Sequence, residues 1–230
     1  MVRRTKEEAL ETRSKLLDAA ECLFQSQGVS RTTLQDIALR AGATRGAVYW
    51  HFKDKADLFN AMMERGTLPL EAFFRLDDSK PGGSDGSRMA DDFFNVDALG
   101  HMRSALVNIL QQIATDPQTR RVLEVATQKV EYTEEHQSIR LRHLAVRNSF
   151  LSRVAQGLDA AARQENLAPA FSGTLAAQGL HALFDGLVQN WMLDPTAFDL
   201  VEAGQYSMDI YLAGLGFGGK LGDARAAKKI

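Results

Sequence analysis

Apolar residues recur every three or four positions along most of the chain, and alternating runs of β-branched residues are nearly absent. This spacing is typical of helices that bury one face, whereas strands would alternate with a period of two. The first clear stripe contains Leu16, Ala20 and Phe24 and stops at Gly28, a residue type that often ends helices. The pattern as a whole predicts an all-α fold of roughly nine helices.

Between residues 32 and 62 the predicted helices become short and closely spaced. Thr32 and Gln35 have the spacing of a capping box, which would open a second helix. Ala41-Gly42 breaks that helix, Thr44 is expected to cap a very short third helix, and Asp54 is expected to cap a fourth. The sequence therefore predicts two short helices joined by a tight turn.

Three residues in this region fit a helix-turn-helix. Ala38 is small where the two helices would cross, Gly42 suits a left-handed turn, and Val48 is apolar on the inner face of the third helix. An ordinary helical hairpin also accommodates these three residues, so the choice between the two depends on the residues around them.

The rest of the chain divides by composition. A Gly-, Ser- and Asp-rich stretch interrupts the helical pattern, and its acids lack the spacing of a calcium loop. The predicted segments are a helix-turn-helix domain over 1–53, a connecting helix over 54–76, a flexible loop over 77–92, a second helical domain over 93–217, and a disordered tail over 218–230.

The net charge of the chain does not by itself indicate a nucleic-acid partner. The chain has 230 residues with a formal net charge of −2, and its first 66 residues carry 11 basic and 9 acidic side chains. Arg3, Arg4 and Lys6 cluster at the N-terminus, where they either reach a phosphate backbone or are simply solvated. The sequence leaves both interpretations open.

Other features narrow the class of protein. No apolar run could span a bilayer and no secretory signal opens the chain, so we expect a cytoplasmic protein without a membrane partner. The single cysteine, Cys22, suits a reducing compartment and is interpreted as small core filler, with a redox sensor as the alternative.

Catalytic signatures are not found in the sequence. There is no Gly-x-Ser-x-Gly elbow and no phosphate loop, Cys22 has no neighbouring histidine, and the five histidines lack metal-ligand spacing. We therefore expect no enzyme activity, no metal and no cofactor. A helical enzyme or a helical interaction module remains an alternative.

Several stretches resemble the DNA-binding region of TetR-family repressors. These are TTLQDIA at 32–38, AGATRGAVYWHF at 41–52 and KADL at 55–58, within a match that spans about residues 10–66. Residues 44–52, with MVRRTKEE at the N-terminus, are similar to the AcrR/TtgR branch of that family, which controls multidrug efflux pumps. Weaker similarity continues at 97–103, 119–121, 185–187 and 191–195.

This resemblance implies a transcriptional repressor involved in antibiotic resistance, which binds operator double-stranded DNA as a homodimer and leaves it when a small amphipathic or aromatic, drug-like ligand binds. An activator, or a regulator of another pathway, is the alternative within the family. Ligand would move the helix around 97–114 and the connecting helix, and so change the spacing of the two DNA-reading heads.

The third helix carries the predicted DNA contacts. Arg45 is the best candidate to read a base, because its fork matches the two acceptors of guanine. Thr44, Gly46 and Trp50 share the outward surface, whereas phosphate contacts are assigned to Thr33, Tyr49, His51 and Lys55. A partly buried Tyr49 is the alternative for that residue.

Two stripes are predicted on the helix over 172–193. One stripe is expected to form a dimer interface with the last helix, because its two glycines allow close approach of another backbone; the alternative is that they face the core of their own chain. The proposed interface consists of Gly179, Leu183, Gly186, Asn190, Tyr206, Ile210 and Ala213.

The second stripe is expected to turn inward and contains His181, Phe184, Asp185 and Val188. Asp185 either anchors a polar group of a ligand or is paired with His181 at a spacing of four. The family pocket, carried over by aligned helices, adds Met102, Leu106, Ile109, Leu123, Thr127, Phe150 and Val154. Core packing is the alternative for each apolar member.

Overall fold

The computed structural model describes residues 6–75, 97–134, 137–168 and 172–218, with the side chains of the fourth helix described up to Arg65. This part of the chain contains nine α-helices and no strand, which confirms the predicted all-α class. The helices are α1 Lys6–Gln27, α2 Leu34–Arg40, α3 Arg45–His51, α4 Lys55–Arg75, α5 Ala98–Thr115, α6 Pro117–Gln128, α7 Gln137–Gln164, α8 Gly173–Leu193 and α9 Leu200–Leu212, with a π-helical turn at Ala213–Phe217. The predicted loop over 77–92, the basic cluster at residues 3 and 4, and tail residues 219–230 lie outside the described residues.

The described residues pack into two compact units. The first contains those up to Pro69 together with Asp116–Ala145, and the second contains those of Leu70–Thr115 and Val146–Ile230. Helix α6 and the start of α7 therefore pack with the helix-turn-helix, although the sequence predicted them to belong to the domain over 93–217. The division of labour between a DNA-binding domain over 1–53 and a second domain over 93–217 stays a prediction.

The core of the first unit joins residues from distant parts of the chain. Leu16 and Phe24 of α1 lie against Ile37 and Val48 of the short helices, all with no exposed surface. Side chains of α6 and α7 complete the same cluster, namely Val122, Val125 and Ile139. The helix-turn-helix thus shares one hydrophobic core with residues that follow it by about a hundred positions.

In the second unit, α5 lies close to α9. Arg103 Nε and Nη2 donate to the two carboxylate oxygens of Asp209 at 2.7 and 2.9 Å, a bidentate ion pair. About two turns along α5 from Arg103, the buried side chain of Leu110 would collide with a Cβ at Gly204. The absence of a side chain at Gly204 therefore sets the distance between the two helices.

Local capping differs from the prediction by one residue. Thr33, not Thr32, is the N-cap of α2, and its partner is Asp36, not Gln35. The Asp36 amide donates to the Thr33 hydroxyl at 3.1 Å, and the Thr33 amide donates to the Asp36 carboxylate at 3.0 Å. Thr32 is instead buried, and its hydroxyl is satisfied there by donating to the carbonyl oxygen of Gly28.

Cys22 is exposed, so its interpretation as core filler was wrong. Positions 20 and 24 of α1 are buried, and a residue two positions from each lies on the opposite side of a helix. Cys22 therefore does not lie on the buried apolar face of α1.

Candidate nucleic-acid interface and sensing helices

The predicted helix-turn-helix geometry is confirmed. Ala38 and Val48 have no exposed surface and belong to one buried cluster, as the crossing of α2 and α3 requires. Gly42 has a φ of +65°, the left-handed conformation that the turn was expected to require. The Ala43 amide then donates to the Ala38 carbonyl at 2.9 Å and closes the turn.

Helix α3 begins at a capped residue, as predicted. The Thr44 hydroxyl accepts a hydrogen bond from the Ala47 amide at 3.2 Å. At the other end the Phe52 amide donates to the Val48 carbonyl, and the Phe52 ring is buried. Both ends of this seven-residue helix are therefore fixed, which orients its outer face.

The outer face of α3 carries most of the predicted DNA contacts. Five of them are exposed, namely Thr44, Arg45, Gly46, Tyr49 and Trp50. Trp50 has 72% of its surface exposed, an unusual environment for a large aromatic side chain. Tyr49 is 49% exposed, so about half of its surface is open to a partner and the alternative of a partly buried tyrosine stays open.

Arg45 and Tyr49 contact each other on this face. They are four residues apart, which places them on neighbouring turns of one side of the helix. The guanidinium carbon of Arg45 lies 5.5 Å from the centre of the Tyr49 ring, within the range of a cation–π contact. Arg45 Nη2 also donates a long hydrogen bond of 3.4 Å to the Tyr49 hydroxyl.

The other three predicted phosphate contacts lie at the edge of this face or have partners within the chain. His51 is half-buried, with its ring edge-on to Trp50 at 4.5 Å between centroids. The Thr33 hydroxyl donates to Asp36 at 2.6 Å, so its hydrogen already serves the cap of α2. Lys55 Nζ donates to the carbonyl oxygens of Val29 and Ser30 at 3.0 and 3.3 Å.

Sequence reasoning missed a contact that supports the end of α3. The guanidinium of Arg13, on α1, lies 5.3 Å from the centre of the Phe52 ring. No spacing rule links residues 39 positions apart, so only the fold reveals this pair.

A buried carboxylate was also missed. Glu21 of α1 has only 3% of its side chain exposed. Its Oε1 lies 3.4 Å from Arg65 Nη1 and accepts a hydrogen bond from Gln118 Nε2 at 3.2 Å, while its Oε2 lies 3.9 Å from Arg121 Nη2. Arg65 also binds the exposed Asp18 at 2.6 Å. One carboxylate therefore links α1, α4 and α6, and these partners offset the cost of burying its charge.

The turn after α1 is also bound to the end of α6. Gly28 has a φ of +84°, and the next amide, that of Val29, donates to the Lys129 carbonyl at 3.1 Å. Ser30 donates to Glu131 at 3.2 Å, and Gln25 donates to Glu124 at 2.8 Å. Within the first unit, α6 is thus attached to both the helix and the turn that precede α2.

In the second unit the structure brings three predicted ligand residues together. The ring of Phe150, on α7, lies 5.4 Å from His181 and 6.3 Å from Phe184 between centroids. The three side chains are half-buried. Five further predicted residues of this unit are buried, namely Met102, Leu106, Ile109, Val154 and Val188. Leu123 and Thr127 belong to the first unit, where the Thr127 hydroxyl donates to the Leu123 carbonyl.

Asp185 does not lie on the inward face of α8. It is exposed, so the expectation that it is turned inward was wrong. Val188, three residues later, is buried, and Asp185 lies at the margin of that stripe. An exposed carboxylate needs no pairing with His181, whose ring instead contacts Phe150.

The predicted dimer stripe divides into two parts. At Gly179 a Cβ would collide with the Tyr211 hydroxyl, which donates to the Ala176 carbonyl at 2.8 Å, so Gly179 packs against α9 of its own chain. Gly186 has open space around it, as expected of an outer face. On α9, Tyr206 and Ile210 are each 56% exposed and Ala213, just after the helix, is exposed too. Leu183 is half-buried, and Asn190 is exposed and donates to the Gly186 carbonyl.

Further apolar residues share this face but were not predicted. Leu175, Ala182 and Leu193 are all exposed, with Leu175 at 64% and Leu193 at 75%. They lie 11, 4 and 7 residues from Gly186, which are near-whole numbers of helical turns. Extending the seven-residue glycine spacing would have found Leu193, and steps of one and three helical turns back from Gly186 give Ala182 and Leu175.

No described helix is long and apolar enough to cross a membrane. No group of three or more His, Cys, Asp or Glu side chains in the described ranges could hold a metal ion.

Comparison with known proteins places this architecture in a defined class, the helix-turn-helix transcriptional regulators. Residues 16–62 match the family model of bacterial regulatory proteins of the tetR family. Residues 97–217 match the model of the C-terminal region of MAATS-type transcriptional repressors. The two matches cover the helix-turn-helix and most of the helices that follow.

Individual relatives agree with these models. The chain is 37% identical to the HTH-type transcriptional regulator TtgR of Pseudomonas putida over 201 residues, 87% of this chain and 90% of TtgR. It is 34% identical to the HTH-type transcriptional regulator AcrR of Shigella flexneri, with 87% of each chain covered.

Solved structures show the same fold. NalD, described as the secondary repressor of the MexAB-OprM multidrug efflux pump in Pseudomonas aeruginosa, superposes with a TM-score of 0.76 at 33% identity, covering 91% of this chain and 98% of NalD. The SmeT–triclosan complex gives a TM-score of 0.70 at 30% identity, covering 88% and 90%. The chain therefore belongs to the TetR family of transcriptional repressors.

Proposed function

We propose that this chain binds a palindromic operator as a homodimer, represses a multidrug efflux operon, and leaves the DNA when a small amphipathic or aromatic molecule binds. The observation that carries the proposal is the exposed row of Thr44, Arg45, Tyr49 and Trp50 on a helix whose inner face is fixed by Val48. Seven helical residues extend about 10 Å, short enough to enter a major groove.

Different residues of this face contact bases and phosphates. Arg45 reads a guanine through two parallel hydrogen bonds, and Thr44, Gly46 and Trp50 fill the groove beside it. Tyr49, His51, Thr33 and Lys55 contact phosphates and set the register of the helix on the duplex. Thr33 does so with a hydroxyl that already donates within its cap, which makes its share of the binding energy small.

One such head contacts too few base pairs for specific binding, so a second copy is required. We assign the dimer contact to the apolar face that runs along α8 and α9, because exposed apolar patches of this kind mark association surfaces. Its members are Leu175, Ala182, Gly186 and Leu193 on α8, and Tyr206, Ile210 and Ala213 on and after α9. Leu183 and Asn190 flank this row.

The ligand site is assigned to the second unit. Phe150, His181 and Phe184 supply aromatic surface with one polar ring, and the buried apolar residues predicted for the pocket lie on α5, α7 and α8 of the same unit. Apolar linings with few polar groups are usual in sites for small molecules. Support for a drug-like ligand comes from SmeT, a relative solved with triclosan. Leu123 and Thr127, which belong to the first unit, and the exposed Asp185 are not assigned to this site.

Release is a shift in population between two states. A ligand that binds one state better draws the protein into it, and the affinity for DNA falls by the same coupling factor. A protein that works in this way acts where the chromosome lies, which in a bacterium is the cytoplasm. We assign it no catalytic activity, in keeping with relatives that are transcriptional regulators.

The test is binding of the purified chain to the DNA upstream of its own gene, measured by fluorescence anisotropy. We expect protection of two half-sites in a footprint, and loss of binding by at least about fivefold in Arg45→Ala, which removes one bidentate base contact from each half-site. Triclosan and other amphipathic drugs are then added to the complex, and at least one should dissociate it.

Arg147→Ala is the matched control, because Arg147 is an exposed arginine of the second unit that contacts only its neighbour Asn148 among the described bonds. It should bind the operator like the wild type. A chain that ignores every upstream fragment at low and moderate salt, or that protects one half-site only, contradicts the proposal.

A further inference from the structure

Arg45 is held against its own helix by a contact with Tyr49. Its guanidinium lies over the Tyr49 ring, 5.5 Å from the ring centre, and its hydrogen bond to the Tyr49 hydroxyl is long, at 3.4 Å. A 3.4 Å bond is near the limit of useful geometry, so the ring face contributes more to this contact than the hydroxyl does. Both side chains are exposed, so packing from other elements does not impose the arrangement.

An arginine on a surface normally samples many rotamers, and binding a base requires that it give up this freedom. A platform that restricts the guanidinium beforehand reduces that entropy loss. Tyr49 is suited to the task because its own rotamers are few and its backbone lies in a helix fixed at both ends. The platform also keeps the planar fork near one orientation relative to α3.

We propose that Tyr49 is a positioning residue for base recognition, whose ring orients Arg45 toward a guanine. This inference rests on the proposed function, because it assumes that Arg45 reads a base. It gives Tyr49 two separable parts. The ring acts through Arg45 on sequence discrimination, whereas the hydroxyl hydrogen, which the Arg45 contact leaves unused, serves a phosphate.

The experiment separates these parts by combining protein and DNA changes. A duplex is selected from a random pool by the wild-type chain, and each guanine of its half-site is replaced in turn by 7-deazaguanine, which lacks the N7 acceptor. Affinities are measured for the wild type, Arg45→Ala, Tyr49→Phe, Tyr49→Leu and Tyr49→Ala. Leucine retains apolar bulk without an aromatic face, and circular dichroism confirms that each variant is folded.

We expect one guanine at which the wild type loses affinity on replacement and Arg45→Ala does not. At that guanine Tyr49→Phe should retain the wild-type penalty within about twofold, while binding all duplexes uniformly more weakly, as loss of a phosphate contact predicts. Tyr49→Leu and Tyr49→Ala should reduce the penalty by about two- to fivefold, the size of an exposed cation–π contact.

The opposite results are distinguishable. An unchanged penalty in Tyr49→Leu and Tyr49→Ala, with Arg45→Ala still insensitive, overturns the positioning role and leaves the proposed function intact. If no duplex is selected, or if Arg45→Ala keeps every penalty of the wild type, the proposed base reading itself is wrong and the inference fails with it.

Discussion

Thr33 and Asp36 bind each other at the start of α2, and this pair sets where the first helix of the DNA-reading motif begins. Replacing Thr33 by Ala removes the cap, and we expect the thermal midpoint of unfolding to fall by about 2–4 °C. Gln35→Ala is the matched control, because Gln35 is exposed and lies outside the observed capping box. Differential scanning calorimetry of both variants checks this, and an equal loss in Gln35→Ala would contradict the observed cap.

The same contact makes a prediction about pH. The hydrogen bond from the Thr33 hydroxyl, and then that from its amide, hold the pKa of Asp36 below its ordinary value. Because the folded-state pKa lies below the unfolded one, the stabilisation is present above the unfolded-state pKa and is lost as the pH falls through the folded-state value.

Carboxyl NMR titration of Thr33→Ala should therefore show the Asp36 pKa returning toward its ordinary range. Asp194 is an internal reference, since its pKa is lowered by Thr196 in the second unit and should not move. An Asp36 pKa that is unchanged in the variant would show that another group lowers it.

Residues whose role is local were predictable from the sequence. The positive φ of Gly42 and the cap at Thr44 depend only on neighbours within four positions. The cap of α2 was misplaced by one residue because two threonines are adjacent and both have an acid or amide three positions later. Only the fold decides between them, by burying Thr32.

Among the elements, α6 has the least expected position, packed with α1 in the first unit. Glu21 lies at that contact, and replacing it by Ala leaves Arg65 without its buried partner. We expect a loss of about 2 kcal/mol or more in the free energy of unfolding, measured by urea titration.

Asp18→Ala is the control for this experiment, because Asp18 binds the same guanidinium from an exposed position. Exposed ion pairs contribute little, so we expect a loss below about 1 kcal/mol. If the two variants lost the same free energy of unfolding, the burial of Glu21 would not explain how much this carboxylate stabilises the fold.

The elements themselves followed from the spacing of apolar residues, and α5 and α8 begin and end close to the predicted positions. Their partners did not, because spacing identifies a buried face but not the helix that covers it. Gly179 illustrates this limit, since its missing side chain accommodates Tyr211 of the same chain. The same limit explains why Asp185 was expected to turn inward and is exposed.

For the molecule as a whole, the proposed function requires two copies, whose contact we assign to α8 and α9. Ile210→Asp places a charge in the centre of the proposed face, where Ile210 is 56% exposed in the single chain. We expect the dissociation constant of the dimer to rise by at least about thirtyfold, measured by sedimentation equilibrium. Operator affinity should fall with it.

Leu10→Asp is the control, because Leu10 is 61% exposed on α1 and lies outside that face. It should leave the oligomeric state unchanged. If Ile210→Asp leaves the dimer intact, the dimer interface is not the apolar face of α8 and α9.

The shared core of the first unit limits how such regulators can be recombined. Val122, Val125 and Ile139 fill the same cluster as Phe24 and Ile37, so a fragment that stops after α4 would lack part of its own interior. A chimera that grafts a foreign reading head at residue 69 would also set that head's α1 against a native Arg121 and Gln118. Exchanging operator specificity by grafting therefore calls for transplanting residues 116–145 along with the head, or for changing only the outer face of α3.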